Sequence, residues 1–398
     1  MAREPQAGRK RLVIIGAGAA GTMAAIFAAT GGADTTLLER TKDGGRKILI
    51  SGGGRCNVLP LRVDEARFLT DSSPNTMRRM LRSWPLAEQR AFFEESVGIP
   101  LVDEVEDLKV FPASHKARDV RDGLLALARA RGARVQMDTH VLDVRRAGSQ
   151  WEVVLADAPS ILADAVVLAC GGLSVPATGS DGTGLRIAEQ LGHALHPRYA
   201  ALTPILADSS PYTTLAGVSL AVTITARSAT RSATATGGFL FTHRGYSGPS
   251  VLDVSHVIVR AQEEEDATAR LTVQWTALDD AAWELALKPQ GSRTVLGALR
   301  TALPDRLAGV LLEVAKVDPA RSLAELKREE RLRLLETLVR GALPWNGDES
   351  YKKAEVTGGG VSLAAIDSRS MESRTHRGLY LCGEMLDAFG PIGPGQKC

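Results

Sequence analysis

Residues 11–40, RLVIIGAGAAGTMAAIFAATGGADTTLLER, constrain the fold of this chain more than any other stretch. Leu12, Val13, Ile14 and Ile15 form a β-branched-rich run that passes directly into Gly16-Ala17-Gly18-Ala19-Ala20-Gly21. An alanine-rich segment reaches Gly31-Gly32, and a second apolar run from Thr35 to Leu38 ends on Glu39. The pattern predicts strand, tight turn, helix and second strand. In such a unit Gly16 permits the turn, Gly18 lets backbone approach a pyrophosphate, and Gly21 lets helix and strand pack closely. The helix N-terminus offers unpaired N–H donors to the anion. Glu39 stands 18 residues after Gly21, where a carboxylate accepts hydrogen bonds from ribose hydroxyls.

A signal peptide or membrane span shares part of this pattern, because residues 12–33 carry no charge and follow Arg9-Lys10-Arg11. The glycines and alanines keep the stretch only weakly hydrophobic, however, and a spanning helix has no reason to set glycines at dinucleotide spacing. No membrane association is expected. A buried strand-helix-strand unit without ligand is the other alternative.

The second glycine cluster bears on that choice. Residues 42–57 read KDGGRKILISGGGRCN. Three consecutive glycines cost folding entropy and pack nothing, so they suit a backbone that passes close to a bulky ligand. Their flanks, Arg46, Lys47, Arg55 and Asn57, suit an anionic cofactor; a flexible surface loop is the competing reading.

These segments resemble the start of the BaiN/RdsA family of FAD-dependent oxidoreductases, which includes aminoacetone oxidase-like proteins. Later stretches extend the resemblance over nearly the whole chain: VFPASHKARDV (110–120), LACGGLSVPATGSDGTGLRIAEQLGH (168–193), FTHRGYSGPSVLDVS (241–255), EVTGGGVSL (355–363) and GLYLCGEMLDAFGPIG (378–393). The resemblance implies an α/β fold, a discontinuous Rossmann-like FAD-binding domain with an inserted β-barrel-like domain and a small helical domain. FAD contacts are then expected from Gly16, Gly18, Ala19, Ala20 and Gly21, from Glu39, Arg40 and Lys47, and from Ser51, Gly52, Gly53, Gly54, Arg55, Cys56 and Asn57. Val141 is expected beside the adenine, and Gly171-Gly172 at the exit of a strand near the cofactor. Gly383, Glu384, Asp387 and Gly393 form the late contacts, with Glu384 or Asp387 holding the ribityl or pyrophosphate region. Relatives continue past Gly393 with a second glycine, a tyrosine-asparagine pair and a helix facing the flavin, whereas here Pro394-Gly395-Gln396-Lys397-Cys398 follow. That departure puts the last flavin-facing contacts, and tight FAD retention, in question.

A chain of 398 residues is expected to form two or three domains. Residues 1–196 read as the first part of the FAD-binding domain. Helical periodicity marks 73–98 and 120–130, and short strands of a doubly wound sheet are expected at 133–137, 140–144, 151–155 and 165–169. The alternation of Leu220, Val222 and Ile224 with Ala221, Thr223 and Thr225 places a β domain at 197–271. A helical insert covers 272–340, with helix starts at Pro304-Asp305 and in a capping box from Ser322 to Glu325. Residues 341–354 return to the β domain, and 355–398 to the FAD-binding domain.

Composition narrows the function. Forty-eight Lys+Arg against 46 Asp+Glu leave a net charge of +2, so neither a nucleic-acid nor a membrane partner is expected, a local basic patch aside. Cys56, Cys170, Cys382 and Cys398 include no C-x-x-C pair and no adjacent histidine cluster, which argues against a metal site or a disulfide framework and suits the cytoplasm. Flavin disulfide reductases need two cysteines a few residues apart, and Cys56 stands alone. Gly179-Ser180-Asp181-Gly182-Thr183-Gly184 has the wrong order for a second fingerprint, so no dedicated nicotinamide domain is expected.

The reading is a flavoprotein oxidoreductase that uses tightly bound FAD for hydride transfer with a small organic substrate. Oxygen reoxidises the flavin, or NAD(P)H visits as a transient reductant. An FAD-dependent RNA-modifying enzyme and a degenerate, non-catalytic nucleotide-binding protein are the alternatives. His243, in FTHRGYSGPS, is the candidate base, with a structural hydrogen-bonding role as its rival.

Overall fold

The computed structural model describes residues 8–105 and 108–392. The chain separates into two compact units, Met1–Arg198 with Val356–Cys398, and Tyr199–Glu355. Among the described residues no helix is long and apolar enough to cross a membrane.

The first unit is built on a five-stranded sheet with the spatial order Leu379–Leu381, Ala165–Leu168, Arg11–Ile15, Asp34–Leu38, Arg134–Gln136. Every pairing is parallel. Both faces of the central strand are covered: Ile14 joins a core with Ala25 of helix Ala19–Thr30 and Leu124 of helix Ala117–Ala130, while Val13 and Ile15 join another with Leu168, Leu185 and Leu379. That burial on two faces is why the strand reads as a continuous apolar run. The central strand lies between Asp34–Leu38 and Ala165–Leu168, so the direction of winding reverses beside it, the switch point at whose carboxyl end sheets of this kind set their ligands. Gly16 and Cys170 leave the sheet at that place.

Two expectations need correction. Val141–Ala147 and Gln150–Leu155 are not strands of the parallel sheet; they pair antiparallel with each other and, through the latter, with Ile161–Ala163 in a separate three-stranded sheet. Only Gly148 and Ser149 connect the first two, and a parallel pairing needs a crossover of a dozen or so residues. The helical pattern at 73–98 breaks into Pro74–Arg82, Leu86–Ala91 and a π-helical Phe92–Val97. Pro85 disfavours helical backbone at Trp84 and forces the break.

The second unit carries a seven-stranded antiparallel sheet, in the order Gly341–Ala342, Arg270–Gln274, Ser219–Arg227, Ser232–Phe241, Gly245–Ser247, Ile205–Leu206, Gly347–Asp348. Val222, Ile224, Phe239 and Phe241 point to one core with Val254 and Ile258 of helix Pro249–Glu263. Pro249 occupies the first helical position, where its missing N–H costs nothing. Helices Asp305–Ala315 and Arg328–Val339 bury Leu311, Leu312, Leu334 and Leu338 in the same core. Ser322 and Glu325 bond to each other at 2.8 Å, but within a single 3₁₀ turn, and the longer helix starts only after Lys327.

Candidate cofactor site

Gly16 turns the chain out of the first strand and donates its N–H to the Leu38 carbonyl at 2.8 Å. A Cβ on Gly16 would stand 2.5 Å from the Ala169 carbonyl oxygen, and one on Gly21 would overlap the Gly16 carbonyl oxygen. Backbone packing therefore demands glycine at both. Gly18 is different. It caps helix Ala19–Thr30 in an extended conformation that any residue adopts, and a Cβ there would meet no atom within 4 Å. Among the described residues no side chain caps this helix, which leaves its N-terminal N–H groups without a side-chain acceptor beside the open space at Gly18.

Glu39 is 8% exposed and held in one orientation. Its Oε2 accepts the Ala17 N–H at 2.8 Å, and Oε1 accepts the Thr41 N–H at 2.8 Å and hydroxyl at 2.7 Å. A carboxylate accepts about four hydrogen bonds. One acceptor position thus remains for a ribose hydroxyl beside the glycine turn. Arg40 pairs instead with Asp181.

In the second glycine loop Gly52, Gly53 and Gly54 are exposed, and a Cβ on Gly53 would meet nothing within 4 Å. Beneath them Ser51, Cys56 and Asn57 are buried. Ser51 donates its hydroxyl to the Ile48 carbonyl at 2.8 Å, whereas among the described residues the buried Oδ1 of Asn57 has no partner. A buried acceptor without a donor costs free energy, so this atom suits a donor brought by a ligand. The basic flanks are all paired within the protein: Arg46 with Asp43 at 2.7 Å, Arg55 with Glu104 at 2.6 Å, Lys47 with Glu384.

The Lys47 pair joins the two ends of the chain. Glu384 also accepts the Ser174 hydroxyl, the Thr357 N–H at 3.1 Å and the Thr357 hydroxyl at 3.0 Å. A Cβ on Gly172 would overlap the Thr357 hydroxyl, and one on Gly383 would come within 2.9 Å of the Ala20 side chain in the glycine-turn helix. A Cβ on Gly171 would come equally close to the Ser180 hydroxyl. Ser174 and Thr357 complete this cluster without having been marked in the sequence. Nothing local distinguishes a serine after Gly-Gly-Leu, or a threonine before three glycines, as a partner of a distant glutamate.

Asp387 enters a different cluster. It is 2% exposed, and its Oδ2 accepts the Ser72 N–H and hydroxyl, both at 2.7 Å, and the Thr70 hydroxyl at 2.9 Å, with His196 Nε2 at 3.5 Å. Val141 is buried at the start of its antiparallel strand. His243 is exposed in the bend between Ser232–Phe241 and Gly245–Ser247, in the second unit. Gly393, and with it the departure at the end of the chain, lies outside the described residues.

Burial pushes the Cys170 and Cys382 thiols up to about 12, although part of each residue's surface is open, so neither is a thiolate near neutral pH. Among the described residues no three His, Cys, Asp or Glu side chains could hold a metal ion. Three features together fit a dinucleotide: an uncapped helix N-terminus over open space, a fixed carboxylate beside it, and a buried acceptor lacking a donor.

Comparison with known proteins bears on the family. The model of the HI0933-like protein Rossmann domain matches residues 10–395. A ribosomal RNA dihydrouridine synthase of Haemophilus influenzae is 33% identical over 96% of this chain and 93% of its own. A protein of the same name from Escherichia coli is 31% identical over 96% of this chain and 92% of its own. A 3-dehydro-bile acid delta(4,6)-reductase of Clostridium scindens is 29% identical over 96% of this chain and 94% of its own.

Proposed function

From the premise that this chain belongs to the HI0933-like Rossmann family of FAD-dependent oxidoreductases, we propose that it reduces a carbon–carbon double bond conjugated to a carbonyl, in a uracil base of RNA. The substrates named by the relatives share that chemistry. The double bond of uracil that becomes saturated in dihydrouridine is conjugated to a ring carbonyl, and a Δ4,6 unsaturation in a 3-keto steroid is conjugated to its ketone. Both accept a hydride at the carbon remote from the carbonyl and a proton at the adjacent one.

The observation that carries the flavin part is Gly18: among the described residues nothing needs a glycine there, and an approaching pyrophosphate does. In this reading Gly18, Ala19, Ala20 and Gly21 offer the helix N-terminus to the pyrophosphate, Glu39 takes a ribose hydroxyl, and Gly52, Gly53 and Gly54 give close backbone approach. The Asn57 Oδ1 accepts a hydrogen bond from the ring system, and Glu384, oriented by Thr357 and Ser174, faces the ribityl chain. When bound, FAD supplies the hydride chemistry. The high thiol values of Cys170 and Cys382 argue against a cysteine relay, and NAD(P)H is the proposed source of electrons.

A net charge of +2 gave no expectation of a nucleic-acid partner, but it averages over the whole surface and says nothing about one face. With two RNA-modifying relatives, that expectation is withdrawn. A free enone as substrate is the second reading, favoured by the bile-acid reductase. Purified protein should be yellow and bleach with NADPH or NADH. Incubation with ribosomal RNA transcripts and with a free steroid enone, followed by mass spectrometry, separates the two readings by which one gains two hydrogens. Colourless protein that FAD does not reconstitute would sink both.

A further inference from the structure

The sheet of the second unit buries one face under helix Pro249–Glu263 and leaves the other open to solvent. On three adjacent strands, Ser219–Arg227, Ser232–Phe241 and Arg270–Gln274, there is no acidic residue at all. The open face carries hydroxyls in cross-strand pairs. Thr223 and Thr236 meet at 2.8 Å, and Thr225 and Thr234 at 3.0 Å. Two hydroxyls joined by one hydrogen bond keep one O–H proton between them for an outside acceptor. The pairs repeat every second residue, about 7 Å apart along the strand.

At the end of this row Arg227 stands directly opposite Arg270. Like charges directly opposite each other destabilise a sheet by up to about 1 kcal/mol. Among the described residues neither arginine forms an ion pair. Arg270 donates to the Ala267 and Ala269 carbonyl oxygens at 2.8 Å, which fixes its guanidinium. Of the nearby carboxylates, Asp266 accepts from the Ala229 and Thr268 N–H groups while its charge is also felt by Arg270, and Glu264 pairs with Arg231. Beyond the threonine pairs, Ala221 and Gly238 keep the face low, and past them Ser219 and the exposed Leu240 end it.

We infer that this face docks the sugar-phosphate backbone of the RNA substrate, with Arg227 and Arg270 on phosphates and the threonine row donating to backbone oxygens. Charge complementarity points to a polyanion: two opposed guanidinium groups, repeated neutral donors and no carboxylate on three adjacent strands. Such contacts position a nucleic acid without reading its sequence. The inference rests on the RNA reading above.

The test uses the full-length, FAD-loaded chain and fluorescence anisotropy of a short, uridine-containing single-stranded RNA over a range of salt. An Arg227→Gln/Arg270→Gln double variant, which relieves repulsion and so should fold, is compared with wild type and with an Arg145→Gln/Arg300→Gln control at other exposed arginines. The logarithmic salt slope of binding should flatten by about 1.4 in the double variant, with at least tenfold weaker binding at low salt, and stay unchanged in the control. An unchanged slope, equal loss in the control, or equally tight binding of polyglutamate to wild type would each overturn the inference. Flavin content and bleaching by NADPH are read on the same samples. Yellow, reducible protein with an indifferent salt slope defeats the docking face alone, whereas colourless protein defeats the flavin reading and leaves the binding comparison readable.

Discussion

Gly52-Gly53-Gly54 and Gly358-Gly359-Gly360 are the same three letters in opposite surroundings. The first triplet is exposed, and a Cβ on Gly53 would meet nothing. The second lies wholly buried in strand Val356–Val361, where a Cβ on Gly359 would overlap the Pro197 carbonyl oxygen and one on Gly360 would stand 2.6 Å from that of Met385. Both triplets need glycine for backbone reasons, the first through positive φ at all three positions and the approach of Gly52 to the Asn57 N–H, the second through close packing; only around Gly53 is there also open space, which on our reading a ligand fills. Sequence alone treats both as the same signal.

Substitutions break the comparison apart. The largest effect is expected for Gly359→Ala, which should destabilise the chain by about 3 kcal/mol or more through overlap with backbone that cannot move aside. A urea midpoint equal to wild type would refute the packed reading. Gly53→Ala should cost about 1 kcal/mol, because its φ of +66° is unfavourable for alanine. Its FAD affinity, followed by quenching of flavin fluorescence, should fall at least tenfold; unchanged affinity would remove the loop from the cofactor site. Gly18→Ala sharpens the contrast further, since its backbone suits any residue and the change at the helix cap costs less than about 1 kcal/mol. FAD binding should weaken while the urea midpoint barely moves.

Acid probes the packed side without mutation, with the smallest effect. His193 is buried, and burial holds its imidazole below the ordinary histidine range. The unfolded chain therefore binds a proton at a higher pH than the folded one, so stability is full above about pH 6.5 and declines as the pH falls below it. His193→Gln should flatten that decline in the urea midpoint. If it does not, another group is responsible.

The strand, turn, helix, strand unit was legible because its signals are local: β-branched residues, fixed glycine spacing and an acid at the second strand's end. What escaped was long-range. Strand Leu379–Leu381 pairs with Ala165–Leu168, which no local pattern announces. Lys47 reads as an anion contact on its flanks alone, yet it meets Glu384. Asp387 stands three residues from Glu384 but turns to Ser72 and Thr70, a choice set by tertiary packing. The misassigned strands at 141–155 had a local signal, the two-residue connection at Gly148-Ser149.

The Lys47–Glu384 contact also carries a consequence for how the protein is made. The two residues are 337 positions apart, so at ribosomal rates of about 5–20 residues per second Lys47 is synthesised roughly 17 to 70 s before its partner exists. Over that interval the parallel sheet lacks its edge strand and Ala20 lacks the glycine that packs on it. The whole of the second unit is translated meanwhile. A nascent chain can therefore form the glycine-turn helix early, but its contact with Gly383, and the edge strand of the sheet, wait until residue 384 is made.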